Sequence, residues 1–252
     1  MMRYFLYFAY NGTHFHGWQR QPNAITVQGV MEDALTTLLR HPTTLTGAGR
    51  TDTGVHAEAM VAHFDTIAPI ESKQQFCNHL NSILPPAIAV RQLRTVQPGA
   101  HARFDALSRK YEYRTTMQKD PFLTELTTRI PANLDFQTMN IAADRLLLQT
   151  DFASFCKLHT DVKTTICHLS QAQWIQSNGQ WIFHIRADRF LRNMVRAIVG
   201  TMFDIGSGRT SLSQFEEILA AAHRTAAGMS APAQGLFLTD VTYPDTIFST
   251  ED

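Results

Sequence analysis

The chain has 252 residues, 44% hydrophobic and 17% charged, with 22 basic side chains against 22 acidic ones. That length buries a full core and allows one or two domains, the composition is too apolar for a disordered chain, and no apolar run is long enough for a transmembrane helix. Zero net charge argues on its face against a nucleic-acid partner, and the cysteines, Cys77, Cys156 and Cys167, are odd in number without CxxC spacing, which suggests neither a disulfide framework nor a zinc site and fits a reducing cytoplasm.

The opening run Arg3 to Tyr10 alternates aromatics and lacks a small-residue cleavage site, so it reads as a first strand and not a signal peptide. Asn11-Gly12 ends it in a turn, and an aromatic and polar loop through Phe15, Gly17, Trp18, Arg20 and Gln21 follows. Thr26 is the N-cap of a helix in which Val27, Val30, Met31, Ala34, Leu35, Leu38 and Leu39 recur at helical spacing. A second strand leads into a glycine-rich loop, Ala57 to Phe64 forms a third, Ser72 to Ile83 a helix stopped by Pro85-Pro86, and Ile88 to Val96 a fourth strand. The order is βαββαβ. The second half repeats it loosely: a strand at Lys110 to Thr116, a helix at Phe136 to Leu148, and strands at Thr165 to Gln176 and Trp181 to Ala187 joined by Asn178-Gly179. A helix from Phe190 to about Ile205 carries Arg189, Arg192 and Arg196 along it; a short helix from Ser213 to Ala222, capped by Ser211 or Ser213, a last strand from Gly235 to Tyr243 and a loose end at Ser249 to Asp252 complete the chain. The expected class is α+β in two similar halves, residues 1–104 and 105–252.

Charge is uneven within this neutral total. Arg91 to Lys119 holds seven Lys/Arg against Asp105 and Glu112, and Arg186 to Arg209 holds five Arg against Asp188 and Asp204. Each cluster is either a phosphate-binding face or a solvated strand or helix face.

The unusual chemistry is concentrated in the glycine-rich loop, Gly47-Ala48-Gly49-Arg50-Thr51-Asp52-Thr53-Gly54-Val55-His56-Ala57. Its three glycines supply positive φ angles and close backbone approach, and the flanking apolar runs fix Asp52 in one orientation with one side open. Two readings of Arg50 and Asp52 stand on composition alone: a hairpin with a structural Asx-turn or ion pair, or a carboxylate nucleophile kept ionised by a guanidinium. The loop lacks the Lys-Ser/Thr of a phosphate-binding P-loop. No second carboxylate lies close in sequence for a glycosidase pair, no cysteine sits in a reactive setting, and His14, His16, His56 and His63 show no HExxH spacing, so no metal is expected.

With these residues in place the chain resembles the bacterial tRNA pseudouridine synthase A (TruA) family. The likeness runs over about residues 3 to 244: Gly49 to Ala57 match its signature loop, with Thr53 where alanine is commoner, and Tyr10-Asn11-Gly12, Phe15, Gly17-Trp18-Gln19 and Gln21 match its N-terminal segment, with Asn11 in place of the usual Asp. Leu80 to Pro85, His101-Ala102-Arg103-Phe104, Met194-Val195-Arg196 with Ile198-Val199-Gly200, and Gly235 to Leu238 with Val241 and Tyr243-Pro244 carry it onward. The resemblance implies two ferredoxin-like halves around a central, mainly antiparallel sheet with helices outside. It implies isomerisation of uridine to pseudouridine at positions 38 to 40 of the tRNA anticodon stem-loop, with no cofactor, by a cytoplasmic homodimer. By the same likeness Asp52 is the nucleophile, Arg50 and Arg196 hold it electrostatically, and Tyr111 lies against the target uracil. Tyr111 read from its residues alone is equally a strand core position. Arg20, Arg109, Lys110, Arg189 and Arg192 are then the natural contacts to RNA.

Overall fold

Near-continuous apolar sequence in the first strand foretells burial of both its faces, and in the computed structural model β1 (Met2–Tyr10) places Tyr4, Phe5, Leu6 and Phe8 at 1% exposure or less. The structure describes residues 1–157 and 163–249, which divide into two compact units, one made of Met1–Leu107 with the chain from Leu238 on, the other of Ser108–Phe237.

In the first unit β1 runs antiparallel to β3 (His56–Thr66) on one side and β4 (Ile88–Val96) on the other, with a two-residue β2 (Thr46–Gly47) added to β3. Helix α1 (Val27–Leu39) separates β1 from β2, and α2 (Lys73–Ile83) separates β3 from β4, so the βαββαβ order is as expected. A strand from the far end of the chain, β9 (Leu236–Thr242), lies beside β3 and gives the order β4-β1-β3-β9. Each face of β1 has its cover: Tyr4 stacks on Phe64 at 5.8 Å, which stacks on Phe76 of α2 at 6.1 Å, while Phe5 on the opposite face meets Tyr243 at 5.0 Å and Phe248 at 6.4 Å. Both helices start where the sequence places a hydroxyl. Thr26 accepts from the Gly29 amide at 3.2 Å and Ser72 from the Gln75 amide at 3.3 Å, each satisfying a donor that the first helical turn leaves over.

In the second unit β5 (Ser108–Thr116), β8 (Gln180–Ala187) and β7 (Leu169–Ser177) pair antiparallel in the order β5-β8-β7, and a two-residue β6 (Thr128–Arg129) runs parallel to β5. The β7–β8 turn is the expected Asn178-Gly179, both with positive φ, at 50° and 77°. Helices α3 (Phe136–Leu147), α4 (Met194–Gly206) and α5 (Leu212–Ala221) complete it. The Asn140 side chain of α3 fixes that helix to β7 by donating to the Trp174 carbonyl at 3.1 Å and accepting from its amide at 2.7 Å, and Phe136 stacks flat on Trp181 at 3.9 Å. No helix among the described residues is long and apolar enough to cross a membrane.

The α+β class and the mainly antiparallel pairing agree with the sequence reading; three local expectations do not. Helix α4 begins at Met194 and not at Phe190, because Asn193 takes a left-handed φ of 64°, so Arg189 and Arg192 precede the helix and only Arg196 lies on it. Strand β7 begins at Leu169; Ile166 makes only an isolated bridge to Asp151. Ser249 is not loose, since its amide donates to the Thr95 carbonyl at 3.2 Å; residues 250–252 lie outside the described ones.

Candidate active site

The glycine-rich loop leaves β2 and returns through Ala48, whose amide donates to the Val61 carbonyl of β3 at 2.8 Å. Asp52 sits in it half-buried. Its neighbours are fixed on both sides. Thr51 is 8% exposed, its Oγ1 is 2.8 Å from the Tyr10 hydroxyl, and its carbonyl accepts from the Trp18 amide at 3.1 Å. After Asp52, the Val55 amide returns to the Asp52 carbonyl at 3.1 Å and the Gly54 amide to the Phe15 carbonyl at 3.4 Å. His56 then accepts from the Gly12 amide at Nδ1, 3.0 Å away, which puts the ring proton of its neutral form on Nε2.

Residues 10–18 therefore act as the clamp on this loop. A Cβ on Gly12 would stand 2.0 Å from the Val55 carbonyl oxygen, and one on Gly17 2.5 Å from that of Thr51, with Gly17 also at φ +82°. Backbone meets backbone here, so no side chain fits. Within the loop itself the expectation of three positive-φ glycines is corrected: only Gly54 has one, at 77°, and Gly47 makes room for the Trp18 ring, which a Cβ would approach to 2.7 Å. Asn11 in place of Asp keeps the turn chemistry, since its Oδ1 accepts from the Thr13 amide at 3.0 Å and the Thr13 hydroxyl at 2.7 Å as a carboxylate would. Arg50 is exposed and stands two positions before Asp52 in the loop. Tyr10, Gly12, Gly17 and Trp18 are the functional supports that sequence reasoning left without a role.

The second unit holds Tyr111 and Arg196. Tyr111 is half-buried on β5 opposite Ile185 of β8, its ring edge-on to Phe190 at 5.1 Å and 89°. Two positions along the same strand face, Tyr113 is fully buried, its hydroxyl 2.7 Å from Thr128 Oγ1 and donating to the Pro232 carbonyl at 2.9 Å, and burial pushes its pKa up. Of the two phenols Tyr113 is core, and Tyr111 is the one with a solvent-accessible part. Arg196 lies in the first turn of α4, where uncapped helix amides already favour negative charge. Its Nε donates to the Ala231 carbonyl at 2.7 Å and its own carbonyl accepts from the Ala231 amide at 2.8 Å, which fixes the stem of the side chain.

The five basic residues expected at RNA divide by what they touch. Arg20 reaches Glu32 at 3.0 Å and Asp33 at 3.2 Å, and Lys110 lies 3.4 Å from Glu112, so part of their charge is met within the protein. Glu112 is held down to about 2, first by the His184 imidazole, whose Nδ1 is 3.4 Å away, and then by Arg114 at 2.9 Å. Arg109 donates to the Asp188 carbonyl at 2.8 Å, Arg189 is half-buried, and Arg192 is exposed. His63 spends its Nδ1 on the Ala102 amide at 3.1 Å, so this histidine and His56 both serve backbone groups.

A family model described as tRNA pseudouridine synthase matches residues 7–105 and 142–244. The match takes in the Asp52 loop and Arg196 and leaves out Tyr111. Among curated relatives, a protein of Parabacteroides distasonis named tRNA pseudouridine synthase A is 53% identical over 252 residues, covering 100% of both chains. A protein of Bacteroides thetaiotaomicron with the same name is 50% identical over 254 residues, covering 100% of this chain and 94% of its own. One of Halalkalibacterium halodurans, again so named, is 40% identical over 241 residues, covering 94% and 90%.

Proposed function

The chain belongs to the tRNA pseudouridine synthase family, an isomerase, and from that membership we propose that it converts uridine to pseudouridine at positions 38 to 40 of the tRNA anticodon stem-loop with Asp52 as nucleophile. The observation that carries the assignment is a half-buried carboxylate in a loop whose preceding and following residues are both tied down by residues 10–18. The reaction breaks the bond from N1 to C1′, turns the base and joins C5 to C1′; the C5 proton leaves and N1 gains one, so atoms balance with no net oxidation or reduction and no redox cofactor is needed. An anionic side chain in one orientation supplies the nucleophile such a sequence requires. Tyr111 supports the face of the turned base, in keeping with the need to take a target base out of its stack, and its hydroxyl helps remove the C5 proton. Arg50 and Arg196 supply positive charge to the same uridine, and Arg20, Arg109, Lys110, Arg189 and Arg192 contact phosphates. The active species is a homodimer in the cytoplasm, a compartment that three free cysteines favour.

The test is release of tritium from tRNA labelled at uridine C5. Wild type is expected to release it and Asp52→Asn to reduce release at least a thousandfold, with tRNA affinity changed less than threefold. Full release by Asp52→Asn overturns the nucleophile assignment, and no release by wild type overturns the activity.

A further inference from the structure

Among the described residues Glu32 is the only carboxylic acid in the core, at 6% exposure on α1. A buried charge has to be met by hydrogen bonds, and three donors meet this one. Its Oε1 accepts from the Leu45 amide at 2.9 Å and from Gln28 Nε2 at 2.9 Å, and its Oε2 accepts from Arg20 Nη1 at 3.0 Å. Gln28 lies one turn earlier on the same helix face. Both ends of its side-chain amide are used: Oε1 accepts from the Arg20 amide at 3.0 Å, and Nε2 also donates to the Leu45 carbonyl at 3.0 Å. Two side chains of α1 thus hold both backbone groups of Leu45, as a neighbouring strand would.

The two segments that this pair joins are the ones that bracket the Asp52 loop. Arg20 follows Trp18 closely, and the Trp18 amide donates to the Thr51 carbonyl at 3.1 Å while its carbonyl accepts from the Gln28 amide at 2.9 Å. Leu45 leads into Gly47, which faces the Trp18 ring so closely that a Cβ there would stand 2.7 Å from it. A slip of either segment moves Trp18, and with it the peptide bond between Thr51 and Asp52. Stability alone does not call for a carboxylate at position 32, since replacing buried ionic groups by apolar side chains of similar volume is often neutral or stabilising. What the charge adds is direction, because it selects which backbone groups lie against it.

We propose that Gln28 and Glu32 are positioning residues for the reaction at Asp52. They act through backbone and not on substrate: they hold Leu45 and Arg20 in one register, so that Trp18 keeps the Asp52 carboxylate in its reactive orientation. The tie to Leu45 is the working part. The ion pair with Arg20 is secondary, because the Arg20 side chain is 55% exposed and also reaches Asp33, itself 71% exposed. The proposal rests on Asp52 being the nucleophile, and a measurement that needs no turnover separates its failure from the failure of that reading.

The experiment measures kcat and KM of tritium release, and amide hydrogen exchange of Trp18 and Val55 against that of β4, in Glu32→Ala, Gln28→Ala and Glu32→Gln. Glu32→Ala leaves the Leu45 amide without its acceptor and is expected to lower kcat about 10- to 100-fold with KM within about threefold, the loss that a displacement of about 1 Å at the reacting group brings. Gln28→Ala is expected to lower kcat about tenfold, and the double variant to lose less than the product of the two, since both act on Leu45. Glu32→Gln keeps an acceptor for the Leu45 amide and for Gln28 and gives up only the Arg20 pair, so it is expected to restore kcat to within about threefold of wild type. In the alanine variants the Trp18 and Val55 amides are expected to exchange about tenfold faster while those of β4 keep their rates. Unchanged kcat and exchange in both alanine variants overturn the proposal. So does a rise in KM at constant kcat, which makes the pair an element of tRNA binding, and so does equal acceleration in β4, which makes it a support of the whole fold. If Glu32→Ala does not fold, the half-buried Gln28 decides through Gln28→Ala. If wild type releases no tritium the isomerase reading falls, and the exchange rates still decide whether the pair holds the loop.

Discussion

The hydroxyl contact between Tyr10 and Thr51 is the shortest route by which a residue far in sequence fixes the orientation of Asp52. It is buried, at 2.8 Å, and Thr51 directly precedes the carboxylate. Removing one partner leaves the other hydroxyl buried without its bond, a cost of about 1–3 kcal/mol that the loop can escape only by moving. Tyr10→Phe is therefore expected to lower the rate of tritium release about tenfold with tRNA affinity within twofold. Thr51→Val should do the same, and the double variant should lose less than the product of the two, since both break one bond. Independent, multiplicative losses would show that the contact does not position the loop. The sequence displayed all these residues, and likeness to the family marked Tyr10, Gly12, Gly17 and Trp18 as a motif. Their purpose was not legible there, because each meets a group more than 25 positions away, a side-chain hydroxyl for Tyr10 and loop backbone for Gly12, Gly17 and Trp18, and sequence pattern carries no information on which carbonyl a glycine will face.

Among the elements, α5 shows how a local signal can leave a choice that geometry settles. The sequence offers Ser211 or Ser213 as its cap, and the structure takes Ser211, which accepts from the Gln214 amide at 3.2 Å while the Gln214 side chain accepts from the Ser211 amide at 2.8 Å. The helix has ten residues and only Phe215 fully buried, so it is too short to hold without its ends satisfied. Ser211→Ala is expected to lower stability by about 1 kcal/mol in urea unfolding, and Ser213→Ala by less than about 0.5 kcal/mol. Equal losses would place the cap elsewhere. Elements with several periodic residues or a stop signal were legible: α1 from its apolar spacing after Thr26, the end of α2 from Pro85-Pro86, the β7–β8 turn from Asn-Gly. The two-residue β2 and β6 are shorter than any period. The start of α4 was misread because Phe190 and Leu191 continue the apolar pattern of a helix while Asn193 turns the backbone left-handed, and apolarity alone does not separate a buried turn from a first helical turn.

For the molecule as a whole, the first unit is completed by residues from Leu238 on, more than a hundred positions after Leu107, and such long-range closure leaves no trace in local composition. That unit also carries an acid sensitivity. His63 is 7% exposed, and its pKa is lowered to about 4, first by burial, then by the Arg3 guanidinium and His101, against weaker opposition from Asp65 and Asp105. A folded-state pKa below the ordinary value of about 6.5 means that between these limits the unfolded chain binds a proton that the folded chain does not. Stability therefore rises with pH through that window, is fully present above about 6.5, and is lost as pH falls toward 4. The loss from His63 by pH 5 is about 2 kcal/mol. Glu112 contributes in the same direction only at lower pH: its carboxylate, held down to about 2, adds stability above the usual carboxylate range and loses it as pH falls toward 2. His101, its pKa lowered first by burial and then by Arg3, adds to the His63 dip between pH 6.5 and 5 with the same sign. Hydrogen exchange of β1 and β3 amides, corrected for intrinsic rate, is expected to show protection at pH 7 that drops by about 1 to 2 kcal/mol at pH 5. His63→Asn keeps an acceptor for the Ala102 amide without a titrating ring, so it should be less stable at pH 7 yet lose less than wild type between pH 7 and pH 5. An unchanged pH slope in that variant would assign the acid sensitivity to other groups.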